Sequence, residues 1–421
     1  MAVDARPWRA ARDTSSMVAR RAARDTRRLG ILPAVAGAAW LGAACSGGGP
    51  PDPTGAGAPA QPGGAPTQAV SGTTAVASDV PRFRVDPFWP AELPNDWILG
   101  QASGVAVDAQ DHVWLLHRPR TLDARQRGEE GMCCVPAPPV IEFAPDGSVL
   151  RSWGGPGEGY EWPESEHGIH VDADGNVWIG GSGGNDAHIL KFTADGEFLL
   201  QIGRAGRSGG SNDTENLGRP AGIRVDAEAN EVYVADGYGN RRIVVFDDDT
   251  GAYKRHWGAY GERPDDVELP PYDPEADPIR HYRSPVHDVG LSHDGFVYVA
   301  DRTNDRLQVF QKDGTFVREA FIRPDTLGSG SVSGVAFSVD PDQRWLFIPD
   351  GTNNVVWILD RESLEVVDYF GRMGKYAGQF YRLHNLAIDS RGNLYTTEVN
   401  VGQRLQKFER AGGAAAAPQP G

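Results

Sequence analysis

The chain has 421 residues, of which 40% are hydrophobic, with 53 Gly, 31 Pro and a formal net charge of −16. That acidity excludes a nucleic-acid partner, which needs a basic face. The length exceeds one small domain but suits a single large all-β one.

The first 45 residues differ from the rest. They hold eight Arg, three Asp and neither Lys nor Glu, a local charge of +5, which leaves −21 on the remainder. "MVARRAARDTRRLG" from Met17 is basic, and "ILPAVAGAAWLGAAC" is apolar but too short and Gly/Ala-rich for a good membrane span. Its end resembles a bacterial lipoprotein cleavage site, with Leu41 one place farther from Cys45 than usual, and the Arg pairs at 20–21 and 27–28 suit twin-arginine export. Residues 1–45 therefore read as an export signal and Cys45 as a lipidation site, which puts the protein in the periplasm or on the cell surface. A basic leader on a misplaced start codon is the alternative. Residues 46–80 are Gly, Pro, Ala, Ser and Thr with almost no large apolar side chain. Such a segment cannot offset its ordering entropy and is expected to be a disordered tether, as is the tail 411–421.

From 81 to 410 the pattern is short alternating strands broken by polar turns. Six segments align: "SGVAVDAQDHVWLLHR" from Ser103, "HGIHVDADGNVWIGG" from His167 and "AGIRVDAEANEVYVADG" from Ala221 are the first three. "HDVGLSHDGFVYVADR" from His287, "SGVAFSVDPDQRWLFIPDG" from Ser333 and "HNLAIDSRGNLYTTEV" from His384 complete them. Each reads strand, turn, strand, and a second pair follows in most copies, as in "HILKFTADGEFLLQIG". A repeated four-stranded unit predicts an all-β, six-bladed β-propeller. The sixth unit lacks a last strand, and "PRFRVDPFWP" at the front is placed to supply it. Trp114, Trp178, Tyr233, Tyr298, Trp345 and Tyr395 recur at one repeat position and read as blade core.

The residues opening the six units are Ser103, His167, Ala221, His287, Ser333 and His384, so small residues and histidines alternate. The first strand of each blade lines the channel, and alternate blades lie 120° apart. Three imidazoles therefore converge on one axis, and three histidines around an open position are the ligand set of a catalytic zinc site. Copper, iron and nickel also accept imidazole. His112, His117, His170, His188, His256, His281 and His293 follow no such pattern and read as structural or surface groups. Strand two returns to the rim where strand one began, which brings Arg118, Tyr238 and Arg302 to the same mouth. Two guanidiniums suit a bidentate carboxylate, and a tyrosine beside a metal is a candidate base. The plainer alternative is that the arginines bridge blades and the tyrosine packs.

These segments resemble the peptidyl-α-hydroxyglycine α-amidating lyase, the six-bladed, NHL-repeat half of the peptide-amidating enzyme. "GQASGVAVDAQDHVWLLHR", "EHGIHVDADGNVW", "VYVADGYGNRRIVVF", "VYVADRTNDRLQVF" and "LHNLAID" carry the likeness, over roughly 100–408. The resemblance implies zinc on His167, His287 and His384, a catalytic Tyr238, and substrate-binding Arg118 and Arg302. It also implies a structural calcium on the carbonyls of Val105 and Ile169 and on the residue after the third histidine. That residue is Asn385 where the family has an aspartate, so the charge a hard cation prefers is missing. A family disulfide cysteine is Gly239, and the other cysteines are the adjacent Cys133 and Cys134, which suit a vicinal disulfide, a thiol pair or a metal-reactive patch. The expected activity is zinc-dependent cleavage of an N-acyl α-hydroxyglycine to an amide and glyoxylate, on a small carboxylate-bearing or peptide substrate, by a monomer. The alternatives are a metal-dependent hydrolase or oxidoreductase on another small carboxylate, and an exported binding or scaffold module.

Overall fold

The computed structural model describes residues 79–411. The leader with Cys45, nearly all of the tether and the tail beyond Ala411 lie outside the described residues.

Alternating apolar residues bury one or both faces of short strands, and polar turns let each strand fold back on its neighbour. The result is six antiparallel four-stranded sheets in a ring, a six-bladed β-propeller. Among the described residues, helix is confined to three-residue 3-10 turns at Pro119–Thr121, Ala259–Gly261 and Arg302–Asn304. The inner strands are Gln101–Val107, Glu166–Val171, Gly222–Asp226, Val286–Leu291, Ala336–Phe337 and Leu383–Ile388, in blades 1 to 6.

Blade 6 is completed from the front of the propeller. Arg82–Asp86 pairs antiparallel with Lys407–Ala411, as the sequence predicts. Phe83 packs edge-on against Phe347 and lies 5.0 Å from Phe370, so the added strand also ties blade 6 to blade 5. Removing residues through Asp86 is expected to lower Tm by roughly 5–10 °C, the size of a lost core phenylalanine. The bare strand edge should also promote association. Thermal melts and size-exclusion profiles of the shortened protein check this.

Apolar residues of neighbouring blades fill the spaces between them. Tyr298, Leu307 and Val309 of blade 4 meet Leu346, Ile348 and Trp357 of blade 5. Val105 and Leu115 of blade 1 meet Tyr395 and Leu405 of blade 6, which closes the ring. The six repeated aromatics are all buried. Four of them also donate to a carboxylate near the first turn of their own blade, such as Trp114 to Asp108 at 2.9 Å and Trp178 to Asp172 at 3.0 Å. Burial of each large apolar side chain stabilises by about 1.5–3 kcal/mol, and the paired polar atom avoids an unsatisfied donor in the core.

Candidate metal centre

The histidines sit where the inner ladders slip. Register shifts fall between Glu166 and Ile169, between Val286 and Asp288, and between Leu383 and Asn385. A bulge leaves one residue without a cross-strand partner and re-aims its side chain. The unpaired residues include His167, His287 and His384, and their imidazoles turn toward the channel axis. Ring centroids of the three pairs lie 4.9, 4.7 and 4.9 Å apart. Each ring offers a nitrogen within 4.8 Å of the other two.

The alternation of small residues and histidines has a physical cause. His167 Nδ1 is 3.0 Å from the carbonyl of Ala221, and His384 Nδ1 is 2.7 Å from the carbonyl of Ser103. His287 Nδ1 meets the carbonyl of Ser333. Each histidine thus donates to the small residue that opens the next blade. A carbonyl only accepts, so Nδ1 carries the proton and Nε2 presents its lone pair to the axis. Gly168 is required beside this contact, since a Cβ there would stand 2.2 Å from the Ala221 oxygen.

The donor set fits a metal ion. His287 Nε2 is buried and has no hydrogen-bond partner, an unsatisfied acceptor in a core where such atoms are rare. Burial holds all three imidazoles below their usual pKa: His167 and His287 well below, and His384 down to about 3. Arg118 and Arg302 lower His167 and His384 further, and Arg302 lowers His287. All three rings are thereby neutral, the form that ligates. The outward hydrogen bond to a carbonyl is the usual support of a metal-bound histidine.

Tyr238 and the two arginines stand at the same mouth. The Tyr238 hydroxyl lies 3.0 Å from His167 Nε2 and accepts from Arg302 Nη1 at 3.3 Å. Arg118 donates from Nε to the carbonyl of Glu166 at 2.6 Å and from Nη1 to Gln101 Oε1 at 3.1 Å. Neither Arg118 nor Arg302 makes a side-chain ion pair among the described residues. The structural pairing falls to neighbours a few residues on. Buried Arg242 bonds Asp236 at 2.9 Å across the turn that carries Tyr238, and buried Arg306 bonds Asp301 at 2.7 Å across the turn that begins with Arg302. These clamped turns fix the Tyr238 and Arg302 backbones, while Arg118 and Arg302 keep charge directed at the mouth.

The NHL repeat family matches residues 217–246, the stretch that forms most of blade 3 and carries Tyr238. Peptidyl-alpha-hydroxyglycine alpha-amidating lyase 2 of Drosophila melanogaster is 25% identical over 349 residues, covering 79% of this chain and 76% of that protein. Human NHL repeat-containing protein 3 is 26% identical over 344 residues, covering 77% of this chain and 84% of that protein. Mouse peptidyl-glycine alpha-amidating monooxygenase is 24% identical over 325 residues, covering 74% of this chain. The chain carries an NHL repeat in blade 3 and is similar, at modest identity, to proteins named as α-amidating lyases. It spans only 30% of the length of the mouse monooxygenase and 58% of that of mouse NHL repeat-containing protein 3. A solved structure of virginiamycin B lyase from Staphylococcus aureus overlaps 78% of this chain and 89% of that chain, with 17% identity and a TM-score of 0.45, too loosely for any argument to rest on it.

The propeller departs from the implied calcium site. Below the histidines the channel opens into a cavity of about 480 Å³ lined by Val105, Ile169, Arg224, Val335 and Leu386. Asn385 is buried but neutral. The buried carboxylate of this level is Asp288, directly after His287, and Arg224 Nη2 reaches its Oδ2 at 3.5 Å. A guanidinium thus shares this cavity with a buried carboxylate whose Oδ1 has no hydrogen-bond partner.

One more placement was open in the sequence. Cys133 and Cys134 form a disulfide in the loop after Pro119–Thr121. A second group, Asp108, His112 and Glu142, lies on blade 1 away from the axis. Its members are already engaged: Asp108 accepts from Trp114, and Glu142 contacts His112 at 2.8 Å and Arg151 at 2.5 Å. Sequence reasoning missed two arginines at the mouth. Arg219 has its guanidinium carbon 5.7 Å from the Tyr238 ring centroid, and Arg382 stands at the entry of the strand that carries His384, with its Nη2 3.1 Å from Ser329 Oγ. Each stands two residues before the opener of its blade, a position that the repeat alignment did not compare.

Proposed function

We propose that the propeller is a metal-dependent lyase that cleaves an N-acyl α-hydroxyglycine-like carbinolamide into an amide and glyoxylate, with zinc as the leading metal. The observation that carries this reading is the convergence of three imidazole Nε2 atoms, one phenol and two guanidiniums without an ion pair at one mouth. Relatives named as α-amidating lyases support it.

A divalent ion on the three histidines would supply Lewis acidity toward the carbinol oxygen. Arg118 and Arg302 would hold the carboxylate of the substrate and set its orientation. Tyr238, as the phenolate, would accept the hydroxyl proton. As that O–H electron pair forms the new aldehyde carbonyl, the C–N bond breaks and its electrons go to nitrogen. The proton removed from oxygen is then returned to that nitrogen, giving the primary amide. The step needs no oxidant, reductant or water.

The proposal keeps the protein exported and monomeric, with a lipid anchor at Cys45. The experiment is direct: zinc-loaded protein incubated with α-hydroxyhippurate is expected to release glyoxylate and benzamide in equal amounts, above the uncatalysed rate. The likeness to NHL repeat-containing protein 3, whose name states repeats and no reaction, favours a non-catalytic binding module as the second reading. Absence of glyoxylate from zinc-loaded, folded protein would favour that reading.

A further inference from the structure

The mouth carries more positive charge than one carboxylate requires. Arg219 and Arg382 join Arg118 and Arg302 there, and none of the four makes a side-chain ion pair among the described residues. Elsewhere the two arginines that are fully buried are matched: Arg242 and Arg306 each bond a carboxylate within 3.0 Å. Unmatched cations gathered in one place in a protein of net charge −16 make a local positive funnel.

The two extra arginines occupy one repeat position. Arg219 precedes Ala221 by two residues and Arg382 precedes His384 by two, in blades 3 and 6, which face each other across the ring. The same position holds Gln101, Ser165, Pro285 and Ser331 in the other blades. Both arginines have left-handed backbones, each with φ of 61°. A side chain held in that region costs about 1–2 kcal/mol, and such strain gathers at ligand-binding positions. Single bonds anchor their ends: Arg219 Nε to the carbonyl of Ser182 at 2.9 Å, and Arg382 Nη2 to Ser329 Oγ at 3.1 Å. Each guanidinium keeps further N–H donors for a ligand.

The nearest carboxylates, Asp186 and Glu166, attract Arg118 but form no ion pair with any of the four arginines. Asp186 accepts from the backbone N–H groups of Glu164, Ser165 and Gly183. Glu166 is buried, which pushes its pKa up, and it accepts from Trp162 at 2.8 Å.

We propose that the mouth selects a dianionic ligand, with Arg219 and Arg382 as the specificity-determining residues for a second acidic group on the acyl side of the substrate. This rests on the proposed role of Arg118 and Arg302 in holding the first carboxylate. The substrate class is then an acidic N-acyl α-hydroxyglycine rather than one with a neutral acyl group.

Calorimetric titration of the zinc-loaded protein with N-acetylglycine and N-succinylglycine tests it without catalysis. N-succinylglycine is expected to bind at least tenfold more tightly at low ionic strength, with the advantage shrinking as salt rises. Arg219→Gln and Arg382→Gln should each reduce the ratio of the two affinities several-fold, in proteins whose melting curves show them folded. Equal affinities in the unaltered protein would overturn the proposal, as would variants that keep the full ratio. A failure of the lyase reading shows elsewhere, as no glyoxylate from either the acetyl or the succinyl α-hydroxyglycine, whatever the binding ratio.

Discussion

Tyr238→Phe is expected to lower kcat for glyoxylate release by about 10²–10⁴-fold, the range for removal of a general acid–base group, while metal content stays at the level of the unaltered protein. The change deletes one oxygen. That oxygen touches His167 Nε2 at 3.0 Å and Arg302 Nη1 at 3.3 Å. The ring keeps its edge-to-face contacts with His167 and His287, at 4.9 and 5.8 Å between centroids. All three imidazoles keep their Nδ1 bonds to backbone carbonyls, so the metal ligands stay aimed. Arg118 and Arg302 remain, so KM should move far less than kcat. Steady-state kinetics with parallel element analysis separates the two quantities. A variant that turns over within threefold of the unaltered protein would remove Tyr238 from the chemistry.

His287→Ala is expected to act one step earlier, by losing the ion. The substitution removes a buried ligand whose Nε2 has no other partner, and a site reduced to two imidazoles loses a third of its donors. Metal content should fall below roughly one tenth of an equivalent, since each lost ligand bond is worth several kcal/mol in a structural or catalytic site. Turnover should fall to background. The carbonyl of Ser333 loses its donor, which costs about 1–3 kcal/mol if no water replaces it. Tm should therefore drop while the melting transition stays cooperative. Dialysed protein, element analysis and a thermal melt give all three readings. Retention of a full equivalent of metal would mean that the ion sits elsewhere.

The fold was legible because the repeat announces itself. Six openers, six buried aromatics and the front strand of "PRFRVDPFWP" were sufficient to place blades and closure, since period-two alternation and turn chemistry are local properties. The convergence of His167, His287 and His384 was also legible, because alternate units in a six-fold ring share an axis whatever the loops do. The reason for the small residues between them was not. Ser103, Ala221 and Ser333 read as space for the imidazoles, whereas their carbonyls hold the imidazole protons. Backbone acceptors leave no mark on side-chain identity. The bulges that free each histidine from its ladder were equally invisible, because an unpaired residue looks like any other in an alternating run.

Arginine roles divided for a related reason. The segments "DGYGNRR" and "DRTNDR" each contain a carboxylate, a mouth residue and an arginine. Only coordinates separate Arg242 and Arg306, which are buried against Asp236 and Asp301, from Arg302, which bonds the Tyr238 hydroxyl and makes no ion pair. The sequence also could not say that Arg224 would lie against Asp288 in the channel, a contact between blades 3 and 4.

X-ray absorption at the metal edge of protein purified without chelator tests the central claim most directly. The account predicts about three imidazole nitrogens near 2.0–2.1 Å, with the multiple-scattering pattern of histidine rings, diminished in His384→Ala. A shell of sulfur near 2.3 Å, or one of oxygen alone, would contradict it.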